Sequence, residues 1–277
     1  MNLDINSDLK ENGIAYLKNL LNKEEIEYIK KRVIFYDSKL RLTNTKVSSY
    51  RNFIGFSKNQ KSQLKKLLKL KFSLFLDSHF LLKMYKRKKL NKISDNYFSK
   101  KSFLNSVTGF YTPKSNEDVL PWHNDQAYGK NGKSKDHKFY NPDHIGLKCM
   151  IYLTDVDGGN GCTSYIPKSH KITYALRKGM YEKKILYTPY WSLKELASTV
   201  TLDRNLDYFK NYFKNTILLQ NFLNDVKFIE NNNTKQYDFS LKAGDAIIFD
   251  EGGVHKGSKT EFTERAVVRY TFSTKDW

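Results

Sequence analysis

The sequence predicts a mainly β protein with flanking helices, built as a double-stranded β-helix of the jelly-roll (cupin-like) type. Three observations support this fold class. Helical spacing of apolar residues dominates the first 100 residues, extended apolar runs follow from about residue 101, and a polar-aromatic stretch separates two groups of those runs. Extended apolar runs at both ends of one region favour a jelly roll. In that fold two sheets pack face to face and so protect most strand edges.

The part of the chain before residue 101 is predicted to be mainly helical. Asn22 and Glu25 have the spacing of a capping box, in which each side chain accepts a hydrogen bond from the other residue's backbone N–H. Apolar residues then recur every three or four positions, as on one face of a helix. A second helix is predicted over residues 60–88, and its apolar stripe is expected to face the core.

Strands are predicted where β-branched and aromatic residues form short runs punctuated by Gly. These runs cover residues 102–108, 147–153, 237–241, 246–250 and 266–273.

We expect all 277 residues to form a single domain, since no repeat, low-complexity stretch or Pro/Gly/Ser-rich linker interrupts the chain. Residues 101–171 and 236–277 would supply the jelly-roll core, and residues 172–235 would form a partly helical insert. Within the insert, Ser192 is placed to cap one helix, and residues 206–222 predict another. Inserts of this length often serve as a lid or a pocket wall.

Composition favours a soluble, cytoplasmic protein. No apolar run approaches the roughly 18 to 20 residues that a membrane-spanning helix needs, and the first residues lack the basic-then-apolar order of a secretory signal. Cys149 and Cys162 are too few for a disulfide framework or a zinc cluster. We expect two free buried thiols, with a single bridge between them as the alternative.

The formal net charge of +19 raises the question of an acidic partner. Of the 48 basic residues, 40 are Lys, and they are dispersed along the chain rather than clustered. This pattern indicates a solvated surface, so no nucleic-acid partner is expected. CoA esters, phosphorylated substrates and an acidic carrier protein all remain open.

His123 and Asp125 form a His-x-Asp motif. On an extended strand, residues two positions apart point to the same face, so one imidazole and one carboxylate can reach one metal ion. His255, which follows the apolar run 246–250, is the natural candidate for a third ligand. Two His and one carboxylate on one face leave three positions of an octahedral iron open for a co-substrate and oxygen.

Arg265 lies ten residues after His255, at the start of a predicted strand. A guanidinium matches a carboxylate with two parallel hydrogen bonds, which a Lys cannot reproduce. Arg265 is therefore the candidate for gripping the distal carboxylate of 2-oxoglutarate, and Arg269, four residues on and on the same face, is the alternative anchor. Each of these residues has an ordinary structural interpretation when taken alone, and only their order and spacing together indicate a site.

Residues 151–170, IYLTDVDGGNGCTSYIPKSH, resemble the signature of the phytanoyl-CoA dioxygenase family of Fe(II)- and 2-oxoglutarate-dependent oxygenases. That signature runs as a strand, an acidic turn, Asn-Gly, a second short strand and Pro-Gly-Ser-His. Here Lys168 replaces the usual Gly, so the turn must accommodate a side chain. Residues 9–13 before the capped helix, and residues 252–257 with Arg265 downstream, also resemble the family.

The resemblance assigns the three ligand candidates to iron and Arg265 to the 2-oxoglutarate carboxylate. Lys148 matches a position that is often basic in smaller members of the family, and there it would line the co-substrate pocket. The alternative is that Lys148 is an ordinary solvated residue of its strand. His170 matches the Ser-His of the signature and is expected to be structural. Related halogenases replace the carboxylate ligand with a small residue, so the presence of Asp125 favours hydroxylation.

The activity implied by the resemblance is hydroxylation of an unactivated carbon, with O2 consumed and succinate and CO2 released. The substrate would be a small molecule or a CoA- or carrier-linked compound, and the sequence does not identify it. Aromatic residues of the insert predict either an apolar pocket wall or additional core, among them Tyr190, Trp191, Phe209, Tyr212 and Phe213.

Three alternatives remain open from the sequence. A jelly-roll metal enzyme that does not use 2-oxoglutarate would keep the metal ligands without requiring Arg265. If the chain were a non-enzymatic binding protein, the presence of all three metal-ligating residues would be a coincidence. An oxygenase that demethylates nucleic-acid bases would require clustered Arg and a base-stacking groove, whereas the chain shows dispersed Lys.

Overall fold

The computed structural model of the protein describes residues 5–41, 71–128, 142, 145–186, 188, 190–231 and 234–274. The strands in these ranges are β1 Ile14–Leu17, β2 Phe103–Thr112, β3 Leu120–Tyr128, β4 Gly146–Tyr152, β5 Thr163–Tyr165, β6 Tyr190–Ser192, β7 Ala246–Asp250, β8 His255–Gly257 and β9 Arg265–Ser273. The α-helices are α1 Ile5–Asn12, α2 Lys23–Arg41, α3 Lys71–Arg87, α4 Leu90–Phe98, α5 Ser169–Tyr181, α6 Leu193–Val200, α7 Asp203–Phe213 and α8 Ile217–Asn231. None of these helices has the length and apolar character required to cross a membrane.

Five strands form a major sheet in the order β1-β7-β4-β9-β2, and four form a minor sheet in the order β5-β8-β3-β6. Side chains from both sheets meet in one apolar cluster, which includes Phe110 and Tyr152 of the major sheet and Tyr165 of the minor sheet. The two antiparallel sheets therefore pack face to face, and the predicted double-stranded β-helix with flanking helices is confirmed.

The central strands of the major sheet are covered on both faces. On β4, Leu147, Cys149 and Ile151 pack with the N-terminal helices, while Met150 and Tyr152 face the minor sheet. This alternation follows from the two-residue period of a strand. Strands buried on both faces appear in the sequence as continuous apolar runs, which explains why β4 and β7 could be predicted.

The N-terminal helices pack on the outer face of the major sheet. At the start of α2 the backbone N–H of Asn22 donates to the Glu25 carboxylate at 3.0 Å, and the N–H of Glu25 donates to the Asn22 side chain at 2.8 Å, so the predicted capping box is confirmed. Ile29 is buried in the same core as β4. The helix predicted over residues 60–88 is present as α3, while residues 60–70 lie outside the described residues.

The strand predicted over residues 237–241 is wrong. A 3-10 helix covers Thr234–Tyr237, and from there to Leu241 the backbone pairs only through isolated bridges, at Asp238 with Ser164 and at Leu241 with Val156. The Asp238 carboxylate accepts hydrogen bonds from the hydroxyls of Ser164 and Ser258. Asp is a residue type that disfavours regular strands. Side-chain hydrogen bonds, rather than a backbone ladder, therefore fix this segment against the sheets.

The single helix predicted over residues 206–222 is also wrong, because α7 and α8 are separate helices. Lys214 ends α7 in the left-handed conformation at φ 55°. The side chain of Asn215 then accepts a hydrogen bond from the Ile217 N–H at 2.8 Å and starts α8. An Asn side chain competes with the helix for backbone hydrogen bonds, so the chain turns here rather than continuing.

The insert contributes a strand to the minor sheet. Its helical structure begins at Ser169, three residues before the predicted boundary. Ser192 caps α6 as predicted, and Glu195 completes a capping box with it. Helices α5 to α8 bury a separate apolar cluster that includes Phe209. Strand β6 pairs with β3, so the insert contacts the strand that contains His123.

Both cysteines are buried free thiols, as expected. Burial raises the pKa of the Cys162 thiol to about 11 and raises the pKa of Cys149 further. Both side chains therefore remain protonated and unreactive at neutral pH.

Lys168, which stands where the signature usually has Gly, is in the left-handed conformation at φ 66° and ψ −4°. Its amine lies 2.8 Å from Glu11, which also contacts the amine of Lys171 at 2.7 Å. A left-handed conformation costs an L-residue roughly 1–2 kcal/mol, whereas an exposed ion pair stabilises by about 0–1 kcal/mol. The turn is therefore strained at Lys168.

Replacing Lys168 with Gly is expected to stabilise the protein by about 0.5–1 kcal/mol, because relief of the left-handed strain exceeds the loss of the ion pair. The midpoint of thermal unfolding should rise by about 2 °C. Lys171→Gly is the matched control, since it removes a contact with the same Glu11 but lies inside α5, where Gly costs about 1 kcal/mol. A Lys168→Gly protein that melts below wild type would contradict this account of the turn.

Candidate metal centre

Antiparallel pairing of β3 and β8 brings the predicted ligands together. His123 and His255 are direct cross-strand partners, and their ring centroids lie 4.4 Å apart. Asp125, two residues along β3, places one carboxylate oxygen 2.9 Å from Nε2 of His255 and the other 3.7 Å from Nε2 of His123. One potential ligand atom from each residue lies within 4.8 Å of the others.

The backbone fixes the orientation of both imidazoles. Nδ1 of His123 lies 2.7 Å from the carbonyl oxygen of Pro121, and Nδ1 of His255 lies 2.9 Å from that of Gly253. A carbonyl can only accept, so each Nδ1–H donates and each Nε2 keeps a lone pair directed at the site. Metal-binding His side chains are commonly oriented by such a hydrogen bond.

The charges of the site favour the protonation states that metal binding requires. Burial alone would raise the pKa of Asp125, but the Lys148 amine and the two imidazoles outweigh it and hold the pKa well below its usual range. Burial lowers the pKa of His255 despite the opposing effect of Asp125. At neutral pH the carboxylate is therefore charged and the His255 imidazole neutral, as a metal ligand must be.

The donor set fits a divalent transition metal such as Fe(II). Two imidazole nitrogens and one carboxylate oxygen arranged on one face leave the opposite positions of an octahedron available. The three residues line a cavity of about 170 Å³ between the two sheets. Lys148, Arg265 and Arg269 line the same cavity, so all six residues proposed from the sequence meet in one place.

Arg265 is buried at the start of β9, and its Nη1 donates to the carbonyl oxygen of Gly161 at 2.8 Å. Gly161 is left-handed at φ +71°, and a Cβ there would lie 2.8 Å from Cδ of Arg265. Gly161 of the signature is thus required both for the turn and for the approach of Arg265. Nε of Arg265 is buried without an acceptor among the described residues, as expected of a side chain that receives an anionic ligand.

Arg269 lies four residues further along β9 and also faces the cavity. Its guanidinium lies over the Phe110 ring, 4.7 Å from the centroid. The cavity therefore has two guanidinium groups at different depths, and an elongated dianion has a cation available at either position.

Lys148 faces the cavity from β4 and makes a close ion pair with the Asp125 oxygen that neighbours His255. A metal ion bound at the same oxygen would have to share it with the ammonium group. Lys148 thus neutralises Asp125 and also competes with a metal for it.

Glu251 is a site residue that the sequence analysis missed. Burial, with a further contribution from the Asp125 charge, raises the pKa of Glu251 to about 7, although Lys148 and Arg269 act in the opposite direction. Its carboxyl group packs over Gly146, where a Cβ would collide with it. The available signal was an acidic residue directly after the apolar run of β7, four positions before His255.

Trp191 is a second missed residue. Its ring stacks on the His123 imidazole, with centroids 5.2 Å apart and planes at 27°, while 38% of the residue stays exposed. Trp191 is recognisable in the sequence as one of the insert aromatics, but nothing in the sequence predicts its position beside a metal ligand. Only the pairing of β6 with β3 brings it there.

A family model described as Phytanoyl-CoA dioxygenase (PhyH) matches residues 9–265 of this chain. A sequence comparison with functionally curated proteins finds no match.

Several solved structures have the same fold. The non-heme alpha ketoglutarate dependent carbocyclase SnoK from nogalamycin biosynthesis is 13% identical, with a TM-score of 0.56 over 99% of this chain and 84% of that chain. HygX from Streptomyces hygroscopicus with iron bound is 13% identical, with a TM-score of 0.53 over 99% of this chain and 87% of that chain. The epimerase SnoN in complex with Fe3+, alpha ketoglutarate and nogalamycin RO is 12% identical, with a TM-score of 0.52 over 97% and 82%. At these identities the similarity shows the fold alone.

Replacing Lys148 with Met is expected to tighten divalent-metal binding by about tenfold, because one cation no longer competes for Asp125 or repels the ion. Titration calorimetry with Ni(II) measures this affinity. Lys256→Met is the matched control, because Lys256 lines the same cavity but its amine lies 3.5 Å from Asp118 instead. The control should change the affinity less than about twofold. Weaker metal binding in Lys148→Met would instead mean that Lys148 is needed to position Asp125.

Proposed function

This chain belongs to the phytanoyl-CoA dioxygenase family, and we propose that it is an Fe(II)- and 2-oxoglutarate-dependent dioxygenase that hydroxylates an unactivated carbon. The substrate would be a small molecule or a CoA- or carrier-linked compound, and succinate and CO2 would be released. The observation that supports the proposal most strongly is the convergence of two His and one Asp ligand with a buried Arg in one cavity between the sheets.

The protein's first contribution is coordination. His123, Asp125 and His255 would hold Fe(II) through two Nε2 atoms and one carboxylate, with both Nδ1–H groups fixed by backbone carbonyls. Bound iron would activate dioxygen, with oxidative decarboxylation of 2-oxoglutarate as the source of reducing equivalents. Because all three ligands occupy one face, the cavity side remains open for the co-substrate.

The second contribution is orientation of 2-oxoglutarate. Arg265 is the proposed anchor of the distal carboxylate, supported by its burial, by the fixed Nη1 contact with Gly161 and by the buried Nε that lacks an acceptor among the described residues. A guanidinium can bind a carboxylate through two parallel hydrogen bonds. Arg269 remains the alternative anchor. It pairs with Met150, two residues from Lys148 on β4, and therefore lies closer to Lys148 than Arg265 does.

Lys148 would line the co-substrate pocket and contribute positive charge beside the carboxylates that collect there. Its ion pair with Asp125 and its electrostatic interaction with Glu251 support this placement. Lys148 compensates the charge of the Asp125 carboxylate, and a bound metal would share that role.

The insert would form one wall of the substrate entrance and serve as a lid. Trp191 supports this part of the proposal because it is partly exposed and stacks on a metal ligand. A planar apolar surface beside the metal is suited to holding a carbon skeleton while excluding water.

The proposed activity can be tested before the substrate is known. Under anaerobic conditions, adding 2-oxoglutarate to the Fe(II)-loaded protein should produce a weak visible absorption band, and in air the protein should slowly form succinate. Asp125→Ala should lose both signals. Metal binding without 2-oxoglutarate binding would favour a jelly-roll metal enzyme of another class, and no metal binding at all would favour a non-enzymatic binding protein.

Hydroxylation itself is tested by the product once a substrate is found. Incorporation of one oxygen atom from O2 is expected. A product that forms with succinate but gains no oxygen would instead place the protein with oxidative rearrangement, as the names epimerase and carbocyclase describe for two proteins of the same fold.

The choice between the two candidate anchors is tested by single substitutions. Arg265→Gln should weaken 2-oxoglutarate binding by about 100-fold, because it removes a charge-assisted bidentate contact. Arg269→Gln should weaken it by less than about tenfold. Calorimetric titration of the Ni(II)-loaded, oxygen-inert protein measures both affinities. The reverse order of effects would move the anchor to Arg269 and leave the rest of the proposal intact.

A further inference from the structure

A second and larger cavity, of about 460 Å³, lies where α1, α4 and α5 meet the junction of α7 and α8. It reaches the end of β7 at Asp250 and Gly252. Among the described residues, it shares no lining side chain with the cavity that contains the metal ligands. Its volume falls in the range of small-molecule sites in proteins, about 300–1,000 Å³.

One side of this cavity is apolar and aromatic. Tyr174 of α5, Tyr212 and Phe213 of α7 and Leu218 of α8 line it, with Ile145 opposite. Aromatic rings supply large, stiff contact surfaces for flat or alkyl groups. The two insert aromatics at the end of α7, which the sequence left undecided between core and pocket, thus face a cavity.

The polar part of the lining is cationic. Lys10, Lys171 and Arg177 line the cavity, and Arg177 is only 3% exposed. Lys171 contacts Glu11 outside the cavity at 2.7 Å. A guanidinium has five N–H donors in a fixed fork, enough to keep a contact within the protein and still bind an anion.

Among the described residues, the other titratable groups of the lining supply one negative charge, on Asp250. The carboxylate of Asp250 accepts hydrogen bonds from the Tyr97 hydroxyl at 2.6 Å and from the Gly252 N–H at 2.6 Å. His170 lies with Nε2 3.3 Å from the Lys10 carbonyl, and burial lowers its pKa, so it is neutral at pH 7. Among the described residues, three cations and one carboxylate therefore line the cavity, and one of the cations, Lys171, is also paired with Glu11.

From this lining we propose that the cavity is a binding site, separate from the metal centre, for a small aromatic or alkyl acid. The acid group, a carboxylate or a phosphate, pairs with the buried Arg177, and the apolar part packs against Tyr174, Tyr212 and Phe213. The proposal does not depend on the function proposed for the metal centre.

The position of this site connects it physically with the metal centre. The carbonyl oxygen of Gly252 accepts hydrogen bonds from Thr173 on the cavity wall and from Asn124, which lies between the two β3 ligands. The wall of this cavity and the strand that contains His123 and Asp125 thus share one backbone acceptor.

The test is calorimetric titration of the full-length, metal-free protein with 1-naphthyl phosphate, 1-naphthoate and 1-naphthol. The two acids should bind at one site and at least about tenfold more tightly than the neutral alcohol, the expected contribution of one charge-assisted contact. Whichever acid binds more tightly identifies the acid group that the cavity prefers.

Two substitutions locate the site. Arg177→Gln should weaken binding of both acids by about tenfold or more and leave 1-naphthol unaffected, while Leu218→Trp should fill the cavity and abolish binding of all three probes. Lys194→Gln is the matched charge control, because Lys194 is exposed on α6 and does not line the cavity. If circular dichroism shows that Arg177→Gln does not fold, Lys10→Gln takes its place beside Leu218→Trp.

Binding of the acids should persist in His123→Ala and in Arg265→Gln. Loss in those variants would place the probes in the metal cavity and overturn the proposal. So would equal affinity for the acids and the alcohol, unchanged binding in Leu218→Trp, or no binding of any probe.

Discussion

The candidate site depends on the register between β3 and β8. Direct pairing of His123 with His255 places two imidazoles side by side, and the two-residue period of β3 adds Asp125 on the same face. A one-residue slip of either strand would turn its ligand to the opposite face of the sheet. The register therefore has to be held firmly, and the apolar cluster between the two sheets, together with β5 and β6 on either side, provides that constraint.

The major sheet supplies the charged groups of the site because its inner face is otherwise apolar. Lys148, Arg265 and Arg269 project from β4 and β9 among side chains such as Met150 and Phe249. Burying cations in such surroundings is unfavourable unless anions compensate them. Asp125 compensates Lys148, and the Glu251 carboxyl group interacts electrostatically with both Lys148 and Arg269.

Close backbone packing around Tyr165 and His170 explains two glycines of the sequence, Gly13 and Gly253. A Cβ at Gly13 would collide with both of these side chains, and a Cβ at Gly253 would collide with Tyr165. These contacts connect α1, the signature segment and the loop before His255, and they agree with the structural role expected for His170. The same loop also reaches the larger cavity, which Gly252 lines.

The sequence by itself determined the fold class, the three inner strands β4, β7 and β9 of the major sheet, the helix caps at Asn22 and Ser192 and the residues that converge at the site. These features are local or periodic, so a short window of residues specifies them. Tertiary structure alone decided the positions of Glu251 and Trp191, the pairing of Lys148 with Asp125 and the second cavity. It also replaced the strand expected at residues 237–241 with single bridges. Each of these depends on which segments distant in the chain become neighbours, and neither composition nor periodicity encodes that contact.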